Sequence, residues 1–238
     1  MTRHATDRAG ALAVRTRGAI IHWSHLSLTS FASALVAVQL LSLVGCSFDP
    51  AKRLASAIQR DRLDSIQAIL RERPTLASRA NREGMLPLSW ATSPSAVGIL
   101  IRYGADPTGR DGARNTALHY AALHGRVAVG RALIRHGAEP NAANVIGFTP
   151  LHQAALSKQA GFCAFLMHHG ADPEARSRDG QTALHLSLAV GSARTAQSLL
   201  ESGANANAPD RDGKRPLAYV GSGSSELARL LRKFGGHL

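Results

Sequence analysis

Three histidines, His119, His152 and His185, recur 33 residues apart, and two cysteines, Cys46 and Cys163, complete the side chains that could bind a soft metal or attack a substrate. Zinc would need imidazole nitrogens about 2.0–2.1 Å from one ion. Equivalent residues on stacked helical units stand about 8–10 Å apart, the spacing of packed helices. The three imidazoles therefore cannot share an ion through their like positions. His168 and His169 precede Gly170, where a helix end favours partial positive charge. Cys163 lies between Phe162 and Phe165, at a position that adjoining units give to Gly130 and Ala196. A small buried apolar role fits it better than nucleophilic catalysis. The acids form no paired constellation: Asp111, Asp179, Asp210 and Asp212 fall in turn-rich stretches, and Asp106, Glu139 and Asp172 follow glycines. No phosphate-cradling loop, nucleophile elbow or HExxH motif is present. The chain is expected not to be an enzyme, with no catalytic residue, metal or cofactor.

The histidines belong to a longer ruler. Thr116-Ala-Leu-His119, Thr149-Pro-Leu-His152, Thr182-Ala-Leu-His185 and Arg215-Pro-Leu-Ala218 keep one phase, while Gly104-Ala105, Gly137-Ala138, Gly170-Ala171 and Gly203-Ala204 keep a second. Each unit reads physically as two helices and a loop. Thr caps the first helix, and Pro or Ala suits its first position. Small alanines let a neighbouring helix approach. A turn at Gly125 or Gly191 leads to a second helix, stopped by Gly137, Gly170 or Gly203 in the left-handed conformation a helix C-terminus needs. Stretches such as Arg178-Asp-Gly180 and Arg211-Asp-Gly213 supply the turn chemistry of a projecting hairpin.

These residues resemble the ankyrin repeat, with its TPLHxAA helix and GADxN hairpin. The resemblance implies an all-α solenoid of stacked helix-turn-helix units with projecting β-hairpin loops, about four to five of them over 84–238, the last a cap. It also implies a structural role for Thr116, His119, Thr149, His152, Thr182 and His185, each imidazole bonding near its capping Thr and to the adjacent repeat. Leu86-Pro-Leu-Ser89 is a degenerate copy, and 51–83 reads as capping helices around Leu54–Ala57 and Ile66–Leu70. Lys158 stands where other units have Gly125 and Gly191, and Arg114 where they have Gly147, Gly180 and Gly213, so local distortion is expected at both.

Ahead of the repeats, Arg3, Arg8, Arg15 and Arg17 precede a charge-free run from Leu26 to Gly45. A basic start, an apolar middle and a small residue before a break form a secretory pattern. Leu43-Val44-Gly45-Cys46 resembles a bacterial lipobox, which implies cleavage after residue 45, a lipid on Cys46 and a short linker over 46–50. Ser47 then favours the outer membrane, with the chain facing the periplasm. The alternative is an uncleaved inner-membrane signal anchor. Cleavage would leave roughly 190 residues, enough for one substantial domain. With Cys46 acylated, Cys163 has no disulfide partner.

The formal charge of +12 suits an acidic partner or an anionic surface. Nucleic acid is not expected, because the basic residues lack aromatic stacking partners. The resemblance places partner contacts on hairpin tips and exposed first-helix positions. There Val145, Ile146 and Phe148 are apolar where later fingers are polar, Leu123 and Leu156 end first helices, and Arg176, Arg178, Arg211 and Lys214 flank them. Phe148 and Val145 could equally pack between fingers. The expected function is binding of one envelope protein by a monomer through its concave face, as an inhibitor, immunity protein or enzyme helper. The alternative is a basic structural protein contacting anionic lipid or lipopolysaccharide.

Overall fold

A computed structural model of the chain describes residues 15–16, 19–20, 49–221 and 225–237, so the apolar leader and Cys46 lie outside the described residues. The chain divides into two units, 1–49 and 50–238. In the first, strand β1 (Arg15–Thr16) pairs antiparallel with β2 (Ala19–Ile20).

The second unit is built from helix pairs. Its α-helices are α1 (Pro50–Gln59), α2 (Leu63–Glu72), α3 (Pro94–Arg102), α4 (Ala117–Leu123), α5 (Val127–Arg135), α6 (Pro150–Leu156), α7 (Ala160–His168), α8 (Ala183–Ala189), α9 (Ala193–Glu201) and α10 (Ser225–Lys233). Three single 3-10 turns join them, at Pro74–Ala77, Pro87–Trp90 and Pro216–Tyr219. One continuous apolar core runs from Leu54 to Leu231, as stacking of like units requires. Among the described residues no helix is long and apolar enough to cross a membrane.

The same backbone bonds recur in the pairs α1–α2, α4–α5, α6–α7 and α8–α9. Between the two helices, the amides of Arg62, Arg126, Gln159 and Ser192 donate to Ala57, Ala121, Ala154 and Ser187, each at 2.9 Å. The residue before each donor is left-handed: Asp61, Gly125, Lys158 and Gly191, with φ of 51°, 63°, 59° and 69°. The α1–α2 pair thus carries the turn of a full repeat, a likeness its sequence hides because Asp replaces Gly. Lys158 corrects an expectation. It does not distort the turn but adopts the glycine conformation, as does Arg114 at φ 62°. Local backbone bonds, Lys158 to Ala155 at 3.2 Å and Arg114 to Asp111 at 2.8 Å, are kept there at about 1–2 kcal/mol for a side chain in that region.

The C-terminal pair is likewise a repeat. Gly236 donates to Leu231 at 2.8 Å, as Ala204 does to Leu199 at 3.0 Å, and Gly235 takes the left-handed stop position. The aromatic layer is seated by a small residue. Phe162 of α7 is 1% exposed. A Cβ on Gly130 of α5 would stand 2.8 Å from its ring, too close for any side chain.

Candidate functional site

The histidines are fully accounted for. His119 Nδ1 accepts the Thr116 amide at 3.1 Å and lies 2.9 Å from its hydroxyl, and Nε2–H donates to the Phe148 carbonyl of the next repeat at 3.0 Å. His152 does the same between Thr149 and Gln181, and His185 between Thr182 and Lys214. This is a capping box with imidazole in the place usually held by Glu or Gln. Both ring nitrogens are in use, so neither is free for a metal. Burial lowers the pKa of all three, which keeps them neutral in the tautomer that joins repeat to repeat. Among the described residues no cluster of His, Cys, Asp and Glu could hold an ion.

Cys163 is 0% exposed, and burial pushes its thiol up to about 12. A thiolate nucleophile is not available there. Tyr120 is raised to about 12 by burial and by its bond to the Asp111 carboxylate, at 2.6 Å. Tyr219 and Asp210 repeat that pair three units later. The middle units have Asn144 with Gln153 and Ser177 with Leu186 in the same places, and lose it.

Each projecting loop is organised by one polar side chain at its base. Asp111, Asn144, Ser177 and Asp210 each accept two amides of their own finger, as Asn144 Oδ1 does from Ile146 and Phe148 at 3.0 Å. The fingers are turns rather than paired strands, each closed by two main-chain bonds, as Asn144 donates to Phe148 at 2.9 Å and Gly147 to Asn144 at 3.0 Å. Main-chain rungs join one finger to the next: Val145 to Ala113, Arg178 to Ile146 and Arg211 to Asp179, each at 3.0 Å. Gly180 must be glycine. Its φ is 74°, and a Cβ would stand 2.5 Å from the Arg211 amide.

On this framework the predicted contact residues separate. Leu123, Val145, Ile146 and Leu156 are 37%, 36%, 46% and 39% exposed, and among the described residues they are the exposed large hydrophobics. Leu123 and Leu156 are the last residues of α4 and α6, equivalent places in adjacent repeats, and Val145 and Ile146 tip the finger leading into α6. Phe148 belongs elsewhere. It is half-buried and stacks on His152 in the first turn of α6, with ring centroids 5.4 Å apart, and joins the edge of the apolar core.

The basic flank also divides. Arg176 donates to the carbonyls of Gly180 and Pro209, stapling its own finger to the next. Lys214 lies 3.7 Å from Asp212. Arg178 and Arg211 are exposed, and no hydrogen bond or ion pair engages their guanidinium groups among the described residues. Sequence reasoning missed Arg110, which donates to Ala143 at 2.8 Å in the place of the Arg176 staple. It also missed Asn141, Glu174 and Asn207, which accept the amides of Asp172, Asn205 and His237 in the following repeat. Their 33-residue recurrence was the available signal.

Residues 92–177 match the family model for ankyrin repeats in three copies, and residues 179–211 match the single ankyrin repeat. The chain belongs to the ankyrin-repeat family. No curated protein matches it. Ankyrin repeats are protein-binding modules and are typically non-enzymatic. The matched span covers α3 to α9 and the fingers that carry the exposed apolar residues. The α1–α2 pair and the C-terminal pair lie beyond it while keeping the ankyrin turn or stop.

Proposed function

We propose that this ankyrin protein is a cell-envelope lipoprotein that binds another envelope protein through the finger side of its array. The observation that carries the binding is the placement of Leu123, Val145, Ile146 and Leu156. They are exposed on two adjacent repeats, while the other large hydrophobics of the described chain are buried or half-buried. Covering each would contribute on the order of 1 kcal/mol, since full burial of such a side chain is worth 1.5–3 kcal/mol. A rigid array offers that surface preformed, so little ordering entropy is lost on docking.

The tether is supported by the order of the leader: basic, then apolar, then Leu43-Val44-Gly45-Cys46. An acylated Cys46 would hold a monomeric array at the outer membrane, facing the periplasm. Function is then by occupancy. The array covers a harmful or degradative envelope enzyme, or it holds a resident one in place.

Affinity capture from intact envelopes tests the binding, with wild type run beside Val145→Asp/Ile146→Asp. Both positions are exposed, so the fold should survive. One abundant protein lost with the variant is the expected result, and its identity separates inhibitor from helper. The same recovery from both samples would remove the finger side as the binding face. The mass of the mature N-terminus tests the tether independently: a triacylated cysteine is expected, and an intact leader would make the protein an inner-membrane signal-anchor form.

A further inference from the structure

Two cations border the exposed apolar residues at positions where this chain elsewhere uses glycine. Arg114 tips the finger whose Ala113 carbonyl accepts the Val145 amide, with φ 62° where Gly147, Gly180 and Gly213 have 78°, 74° and 78°. Lys158 follows Leu156 by two residues, with φ 59° where Gly125 and Gly191 have 63° and 69°. Long β-methylene side chains are disfavoured in this region. Asp61, the third such residue, is of a kind that tolerates it better and lies far along the array. Strained backbone kept in the native state often marks a place where a side chain is needed for function.

On the other side of the same residues the Ile146 carbonyl accepts the Arg178 amide, and the Asp179 carbonyl accepts that of Arg211. Arg114, Lys158, Arg178 and Arg211 are all exposed, and neither of the ion pairs among the described residues involves any of them. The opposing charges on these tips are Asp179 and Asp212, the latter already beside Lys214. The local balance is positive, around an apolar centre.

We infer that the finger side takes an acidic segment of a partner protein, anchored by an apolar side chain over Val145 and Ile146, with carboxylates reaching Arg178 and Arg211 along the row and Arg114 and Lys158 at the edges. Each cation left unpaired in the free array gains a charge-assisted bond on docking. This deepens the protein-binding reading and rests on it.

A photoreactive residue replacing Ile146 in the full-length chain, illuminated in intact envelopes, reports the segment that docks there. Sequencing of the crosslinked peptide should find Asp and Glu in excess within a few residues of the adduct. That segment is then synthesised, together with a twin in which every Asp and Glu is Asn or Gln. The twin should bind wild type at least tenfold more weakly. Arg114→Gly/Lys158→Gly should raise the Tm by a few degrees while weakening the acidic peptide about tenfold, a split that a purely structural role for the two cations would not produce. A neutral or basic crosslinked segment, or equal binding of the two peptides, overturns the acidic partner while leaving protein binding intact. Absence of any protein adduct from Ile146, Leu123 and Leu156 positions alike removes both.

Discussion

The central repeats and the flanking ones bury the same leucine and build different helices around it. Leu118, Leu151 and Leu184 are 0–1% exposed and lie in α4, α6 and α8, while Leu88 and Leu217 are 3% and 9% exposed in single 3-10 turns. Proline does not explain the difference, because Pro150 opens α6 as comfortably as Pro87 and Pro216 open their turns. What differs is the box. The central helices begin on Thr with His three residues later, whereas the outer ones begin on Leu86 with Ser89 and on Arg215 with Ala218. Helix termini leave amides without partners, and in the outer repeats no side-chain cap satisfies them. Burial places the segment against the stack, and the segments that carry the box are those that continue as helices.

That contrast can be broken from the central side. Gly180→Ala should have the largest effect, about 2–4 kcal/mol of lost stability by urea denaturation, because the added carbon meets a neighbouring amide in a left-handed backbone. Next, His152→Ala should cost about 2–3 kcal/mol, since it orphans the buried Thr149 amide and the Gln181 carbonyl and removes the Phe148 stack. The same replacement cannot be made in the outer repeats, whose stability should be insensitive to mild acid for that reason.

Acid provides the graded version. Burial holds the folded imidazoles of His119, His152 and His185 below the ordinary histidine value of 6.5, so as pH falls through that value the unfolded chain binds more protons. Stability from the boxes is present above pH 6.5 and is lost as pH falls through and below it. The midpoint urea concentration should fall with pH in that window, and less so in the His152→Ala variant.

Building the contrast away is the sharper and smaller experiment. Arg215→Thr/Ala218→His should install a box at the start of the last repeat, adding helical circular dichroism and about 1 kcal/mol. No gain in either would mean that sequence beyond the cap, including Gly221, sets the turn. Arg114→Gly should give the smallest change, a gain of about 0.5–1 kcal/mol, as relief of left-handed strain is partly offset by a more flexible unfolded chain.

Much of the scaffold was legible because its rules are local and periodic. A Thr–His box, a stop glycine and a polar finger base each act within a few residues, and the 33-residue phase carries them from unit to unit. The outer repeats were harder to read because their landmarks change: Asp61 replaces the turn glycine between α1 and α2, and Gly235, which stops α10, falls out of the 33-residue phase. In the candidate surface, Val145, Ile146 and Phe148 stood out as apolar where later fingers are polar, and Leu123 and Leu156 as apolar ends of first helices; that signal needs no coordinates, but it did not separate Phe148, which turns onto His152.

The repeat period, its paired helices and their stop glycines were thus determined by the sequence alone, through short-range capping and hydrophobic spacing, whereas burial in the stack is what keeps His119, His152 and His185 neutral. Only the tertiary structure decided which flanking groups are available. Arg176 and Arg178 are two residues apart and chemically identical, yet one guanidinium reaches the Pro209 carbonyl 33 residues on while the other meets solvent. Phe148 turns onto His152 while Ile146, on the same finger, stays out. Arg114 holds a backbone made for glycine beside Ala113, whose carbonyl the next repeat's Val145 amide reaches. Those outcomes depend on distances across repeats, which neighbouring sequence does not set.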